Sequence, residues 1–135
     1  MTEKLEQWFA QMPVVAILRG VLPEQVLEIG EALFRAGIGI IEVPLNSPDP
    51  FTSIKILAEA LGDRCVIGAG TVLTEADVVG VAAAGGEIVI SPNINLAVIE
   101  RSLEAGLVPM PGWCPCPAGQ RLAKLLPPIR PEPVI

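Results

Sequence analysis

The feature that most constrains this chain is a repeat. Short apolar runs centred near Ile17, Ile41, Ile67, Val89 and Val108 recur about every 20–26 residues, the period of a strand followed by a helix. Each run is rich in β-branched residues and bounded by turn residues, the pattern of a strand buried on both faces. The segments between them carry apolar residues at helical spacing. Continuous apolar strands alternating with capped helices specify an α/β fold with a parallel sheet, either doubly wound or closed into a barrel. The repeat alone leaves both open.

The elements follow from local signals. Leu5, Trp8 and Phe9 give Glu3–Gln11 an amphipathic helical pattern that stops ahead of Pro13. Strand one, Val14–Leu18, reads as fully buried and closes on Arg19-Gly20, with a helix opening at Pro23 and running to Ala36-Gly37. Gly37 is the left-handed cap expected there. Strand Ile38–Val43, the turn Asn46-Ser47-Pro48 and helix Phe51–Leu61 ahead of Gly62 repeat the unit. Strand Cys65–Val72 leads through Thr74, an N-cap with Asp77 three residues on, into a helix ending at Ala84-Gly85. Strand Glu87–Ile90, helix Leu96–Ala105 and strand Leu107–Met110 complete the regular part. Beyond Gly112 the grammar changes, as Trp113-Cys114-Pro115-Cys116-Pro117 leaves little room for a helix. Gln120–Leu126 is the candidate sixth strand, and the Pro-rich end from Pro127 is expected to be extended.

Composition removes several classes of function. A length of 135 residues allows one domain. Nine basic and fifteen acidic side chains give a net charge of −6, which offers nucleic acid or an anionic membrane no footing. With 51% apolar and 18% charged residues the chain is too hydrophobic for disorder. Its longest uncharged run, Ala105–Gln120, is interrupted by four prolines, so no membrane span is expected. Charged residues precede any apolar stretch at the N-terminus, the wrong order for a secretory signal, and a cytoplasmic location is expected. Three cysteines and no histidine argue against a disulfide framework and against a metal site, the Cys114-Pro-Cys116 spacing being a weak metal signal.

Ionisable groups at the ends of apolar strands are the chemical candidates, because a charge there meets a ligand or is costly to bury. Arg19 closes strand one, where its guanidinium fork suits a carboxylate or phosphate, the alternative being a rim salt bridge. Glu42, inside Ile40-Ile41-Glu42-Val43-Pro44, is expected to have a raised pKa suited to moving protons, the alternative being an internal ion pair. Gly68-Ala69-Gly70-Thr71 ends strand three with small residues, allowing a ligand close to the backbone, and one hydroxyl. The full dinucleotide fingerprint is missing. Lys124, among leucines, is either an imine-forming amine of lowered pKa or a solvated tail lysine.

Taken together, Ala16-Ile17-Leu18-Arg19-Gly20, Ile41-Glu42-Val43-Pro44-Leu45-Asn46-Ser47-Pro48, Ile67-Gly68-Ala69-Gly70-Thr71-Val72-Leu73 and Ser91-Pro92-Asn93-Ile94 resemble the 2-keto-3-deoxy-6-phosphogalactonate aldolases. These belong to the pyruvate-dependent class I aldolases that include the phosphogluconate and 4-hydroxy-2-oxoglutarate enzymes. Pro44 with Asn46-Ser47-Pro48 is similar to the galactonate branch. The resemblance implies a (β/α)₈ TIM barrel, here an incomplete, apparently truncated one of five to six βα units. Residues 1–112 would be its N-terminal part and residues 113–135 an atypical tail. It further implies cleavage of a phosphorylated keto-deoxy sugar acid to pyruvate and glyceraldehyde 3-phosphate, no cofactor or metal, and a trimer. Arg19 and Thr71 then bind substrate, Glu42 moves protons, and Lys124 is the Schiff-base lysine. The competing expectation is an inactive fragment that self-associates or binds keto acids.

Overall fold

In the computed structural model, residues 2–112 are described. Helix α1 (Glu3–Gln11) precedes β1 (Val15–Ile17), α2 (Pro23–Arg35), β2 (Ile40–Pro44), α3 (Pro50–Leu61), β3 (Val66–Gly70), α4 (Glu75–Ala83), β4 (Ile88–Ser91), α5 (Leu96–Glu104) and β5 (Val108–Pro111). The five strands form one parallel sheet in the order β1-β2-β3-β4-β5. A doubly wound sheet reverses its strand order at a switch point. This sheet has no reversal, so the ambiguity left by the repeat resolves to an arc of barrel.

Local chemistry sets the helix ends. In α4, Thr74 Oγ1 accepts from Asp77 N–H at 3.1 Å while Asp77 Oδ2 accepts from Thr74 N–H at 3.0 Å, a reciprocal capping box. Gly37, Gly85 and Gly106, each just beyond a helix, have φ of +88°, +86° and +75°, conformations an L side chain resists.

The two sheet faces are covered unequally. Ile41, Val43, Ile67, Ala69 and Val89 face helices α2 to α5, packing with Val26, Ile54, Leu57, Val78, Val81 and Val98. Ile40, Val66 and Ile88 face the opposite way, onto Leu5 with Trp8 and Phe9 beside it. Helix α1 therefore plugs the N-terminal end of the arc. Trp8 lies against Gly39, where any side chain would collide with the indole, and its Nε1–H donates to the Arg64 carbonyl at 2.9 Å. Lys4 adds an ion pair to Glu87 at 2.6 Å and donates to the Gly62 carbonyl.

Strand β1 differs from expectation. It is three residues long rather than five, and Ile17 and Val14 are 59% and 43% exposed. Ile17 shares the Glu42 face of the sheet, beyond the reach of α1, and β1 is an edge among the described residues. Strand β5 contains two prolines yet pairs with β4, because they fall at alternate positions. Val108 and Gly112 donate to the Glu87 and Ser91 carbonyls at 2.9 and 2.7 Å. Pro109 and Pro111 occupy the positions whose N–H would point away from β4. The candidate sixth strand lies outside the described residues, and so do Cys114 and Cys116.

Because Leu5 is completely buried, Leu5→Ala should destabilise the chain by about 2–5 kcal/mol, measured by urea denaturation. A loss below about 0.5 kcal/mol, typical of a surface change, would contradict the plug.

Candidate active site

Parallel strands in sequential order bring all their C-terminal tips to one end of the sheet. Arg19 follows β1, Glu42 lies within β2 near its tip, and Thr71 follows β3. The register pairs Ile17 with Glu42 and Glu42 with Gly68, which puts the Glu42 side chain on the inner face with Ile40, two residues away.

Glu42 is 4% exposed, and its Oε2 finds no hydrogen-bond partner among the described residues. Space for the carboxyl comes from β3: a Cβ on Gly70 would collide with it. Burial raises the Glu42 pKa above its ordinary value, and the positive charge of Arg19 offsets part of that rise. Among the described residues the internal ion pair weighed from the sequence does not form. Arg19 instead donates from Nη1 to Asn46 Oδ1 at 2.9 Å, leaving a protonatable carboxyl beside a guanidinium bound to a neutral amide.

Thr71 has a φ of +56°, a left-handed conformation that is a genuine outlier for a β-branched residue and costs on the order of 1–3 kcal/mol. Its neighbours hold it there: the Gly70 carbonyl accepts from Leu45 N–H at 2.9 Å, and Val72 N–H donates to the Ile90 carbonyl at 3.1 Å. Strain of this kind concentrates at functional sites, and it lies directly after the glycine that faces the Glu42 carboxyl.

The glycines of Gly68-Ala69-Gly70 serve a different purpose from the one their sequence suggests. A Cβ on Gly68 would strike Ile88 of β4, as one on Gly70 would strike Glu42. They make room for the protein's own atoms, not for a ligand at the backbone. The start of α4 is occupied by its Thr74–Asp77 capping box.

Sequence reasoning placed Arg19, Glu42 and Thr71 at strand tips, and the fold brings them to one end of the sheet. It missed Asn46 and Ser47 as partners of the Arg19 turn. Both read from the sequence as turn residues and as part of the galactonate-like motif, and the signal for a partner role is position, two polar side chains just past the strand that carries Glu42. Lys124 lies outside the described residues. Among the described residues no cluster of three potential metal ligands exists, and no helix is long and apolar enough to cross a membrane.

With this geometry in place, comparison with known proteins is specific. A family model for "KDPG and KHG aldolase" matches residues 5–117. A probable 2-dehydro-3-deoxy-6-phosphogalactonate aldolase of Rhizobium meliloti (strain 1021) is 47% identical over 102 residues, covering 76% of this chain and 48% of the relative. The 2-dehydro-3-deoxy-6-phosphogalactonate aldolase of Escherichia coli (strain K12) is 41% identical, covering 78% of this chain and 52% of that protein. The chain thus spans about half the length of the curated relatives it matches. A solved "native KDPGal" structure superposes with a TM-score of 0.78 at 36% identity, covering 85% of this chain and 55% of the other. A KDPG aldolase from Legionella pneumophila, with pyruvate captured as a covalent carbinolamine, gives a TM-score of 0.77 at 28% identity, covering 91% of this chain and 58% of that one.

The pH dependence of stability follows from Glu42. A carboxyl whose folded pKa is raised binds protons more tightly in the native state, so the ionisation cost of its burial is absent below the unfolded pKa. The cost appears as pH rises from the unfolded value toward the folded one, and is complete above both. Glu42→Gln should therefore stabilise the protein at pH 7.5 by on the order of 1 kcal/mol and have little effect near pH 4. Denaturation series at the two pH values check this, and equal effects at both would contradict it.

Proposed function

Since the chain belongs to the KDPG and KHG aldolase family, we propose that it carries class I aldolase chemistry on a 2-dehydro-3-deoxy-6-phosphogalactonate-type substrate, yielding pyruvate and glyceraldehyde 3-phosphate. The observation that carries this reading is the buried Glu42 carboxyl beside Arg19, its Oε2 without a hydrogen-bond partner among the described residues. A carboxyl whose pKa is raised by burial can give a proton and take it back within one turnover.

The proposed sequence begins with the Lys124 amine, which adds to the C2 carbonyl to form a carbinolamine. Glu42 protonates the departing hydroxyl, water leaves, and an iminium remains. The Glu42 carboxylate takes the proton of the C4 hydroxyl as the C3–C4 bond breaks. The electron pair of that bond moves into the iminium, releasing the aldehyde and leaving an enamine. Glu42 returns that proton to C3, and its carboxylate takes a proton from the water that hydrolyses the resulting iminium, freeing pyruvate and restoring both the amine and the protonated carboxyl. Arg19 holds the keto-acid carboxylate, and the Thr71 hydroxyl contacts the pyruvate portion. No metal or organic cofactor enters this chemistry, since the iminium is itself the electron sink.

The galactonate branch is favoured over the gluconate branch by degree of likeness. Two galactonate-type relatives are 47% and 41% identical, whereas gluconate-type relatives of Pseudoalteromonas atlantica and Dickeya dadantii are 32% and 27% identical. The same reading carries a cytoplasmic homo-oligomer, with a trimer as the proposed state. One structural neighbour, 37% identical with a TM-score of 0.75, is a cage designed by fusing symmetric oligomeric domains.

A second reading, a keto-acid binder or self-associating chain without turnover, draws on Ile17, an apolar side chain 59% exposed on the Glu42 face. Trapping separates the two. Incubation of the full chain with pyruvate and borohydride, followed by peptide mass mapping, should place one reduced pyruvyl group on Lys124. If no lysine is labelled while a full-length family member labels in parallel, the catalytic reading is wrong.

A further inference from the structure

The turn that carries Arg19 is held from the neighbouring strand by two separate hydrogen bonds. Gly20 N–H donates to Ser47 Oγ at 3.1 Å. Ser47 is 7% exposed, and its own N–H donates to the Pro44 carbonyl at 3.0 Å, so this acceptor is fixed to the tip of β2. The second bond, from Arg19 Nη1 to Asn46 Oδ1 at 2.9 Å, reaches the side chain itself. Both partners of that bond are exposed, where such a contact adds little stability. Its consequence is orientation. A guanidinium has five N–H donors in a rigid fork, and among the described residues this bond engages one nitrogen and no other side-chain bond of Arg19 forms.

The identity of the acceptor matters as much as its position. Among the described residues Arg19 forms no salt bridge, although Glu42 lies within its electrostatic reach. A neutral amide restrains the guanidinium without cancelling its charge. An aspartate in the same place would restrain it and cancel it.

We propose that Asn46 is a positioning residue for substrate binding: its amide oxygen fixes the Arg19 guanidinium at the tip of β1, charge uncompensated, with the fork presented to the carboxylate of a 2-oxo acid. This inference rests on the keto-acid role given to Arg19 above. Without the restraint, ordering a long flexible side chain is charged to ligand binding, a cost worth about three- to tenfold in affinity.

The test is a double-mutant cycle on the full chain with pyruvate as the probe, its dissociation constant read by NMR titration. Asn46→Ala should weaken pyruvate binding about three- to tenfold, and Asn46→Asp by more, because the new carboxylate competes for the fork. In an Arg19→Ala background Asn46→Ala should change nothing further. Equal losses with and without Arg19, or no loss where Arg19→Ala is impaired, would overturn the positioning role. An Arg19→Ala variant that binds as well as wild type would overturn the keto-acid role of Arg19 and this inference with it. The Arg19 guanidinium resonances give a readout independent of ligand. Their rotation should be slowed in wild type and averaged in Asn46→Ala. Should wild type fail to bind pyruvate, the functional reading falls, and averaged rotation in both proteins would overturn the restraint as well.

Discussion

A carboxyl group can sit inside a parallel sheet only where the neighbouring strands leave space for it, and here glycine leaves that space. The β2–β3 register sets Glu42 against Gly68 and Pro44 against Gly70, and a side chain at Gly70 would occupy the volume of the carboxyl. From this follow the burial of Glu42 and its raised pKa, with no partner at Oε2 among the described residues. The helix-facing core sets the register by burying Ile41 and Val43 alongside Ile67 and Ala69. Slipping β3 by one residue would exchange its two faces, turning Ile67 and Ala69 inward and removing the space.

Around that carboxyl the two flanking strand tips are locked by different means. Arg19 is tied sideways to β2 through Asn46 and Ser47. Thr71 is held in a strained conformation by backbone bonds from Gly70 to Leu45 and from Val72 to Ile90. Helix α1 acts at the opposite end, filling the inner face with Leu5, Trp8 and Phe9 beneath the chemical layer. The stabilising plug and the candidate site thus occupy opposite ends of the same strands, the division that barrel folds show generally.

Much of this was legible in the sequence because the signals were local and periodic. Capped helices and apolar strands at a regular period identified each βα unit, and the glycines after α2, α4 and α5 were visible as punctuation, each adopting positive φ. Glu42 stood out as a lone charge in an apolar run. What was not legible depended on contacts between units. The burial of β1 was overestimated, because an apolar strand reads alike whether or not another element covers it, and Ile17 is left exposed. The strand-three glycines were taken as ligand space because nothing local says that Glu42 and Ile88 fill it. Asn46 looked like a turn residue because its partner lies 27 positions away. The prolines of β5 required the register to interpret: they spare the ladder to β4 while removing donors from the opposite edge, an edge that a further strand can use only through its carbonyls.

The central claim is that burial holds the Glu42 carboxyl protonatable in the unliganded protein, against the pull of Arg19. Site-resolved carboxyl ¹³C NMR, following Glu42 across a pH titration of wild type and Arg19→Ala, tests it most directly. The predicted result is a wild-type midpoint above the ordinary value of 4.5, moving higher when the guanidinium is removed. A wild-type midpoint at or below the ordinary value, or one indifferent to Arg19, would contradict the account.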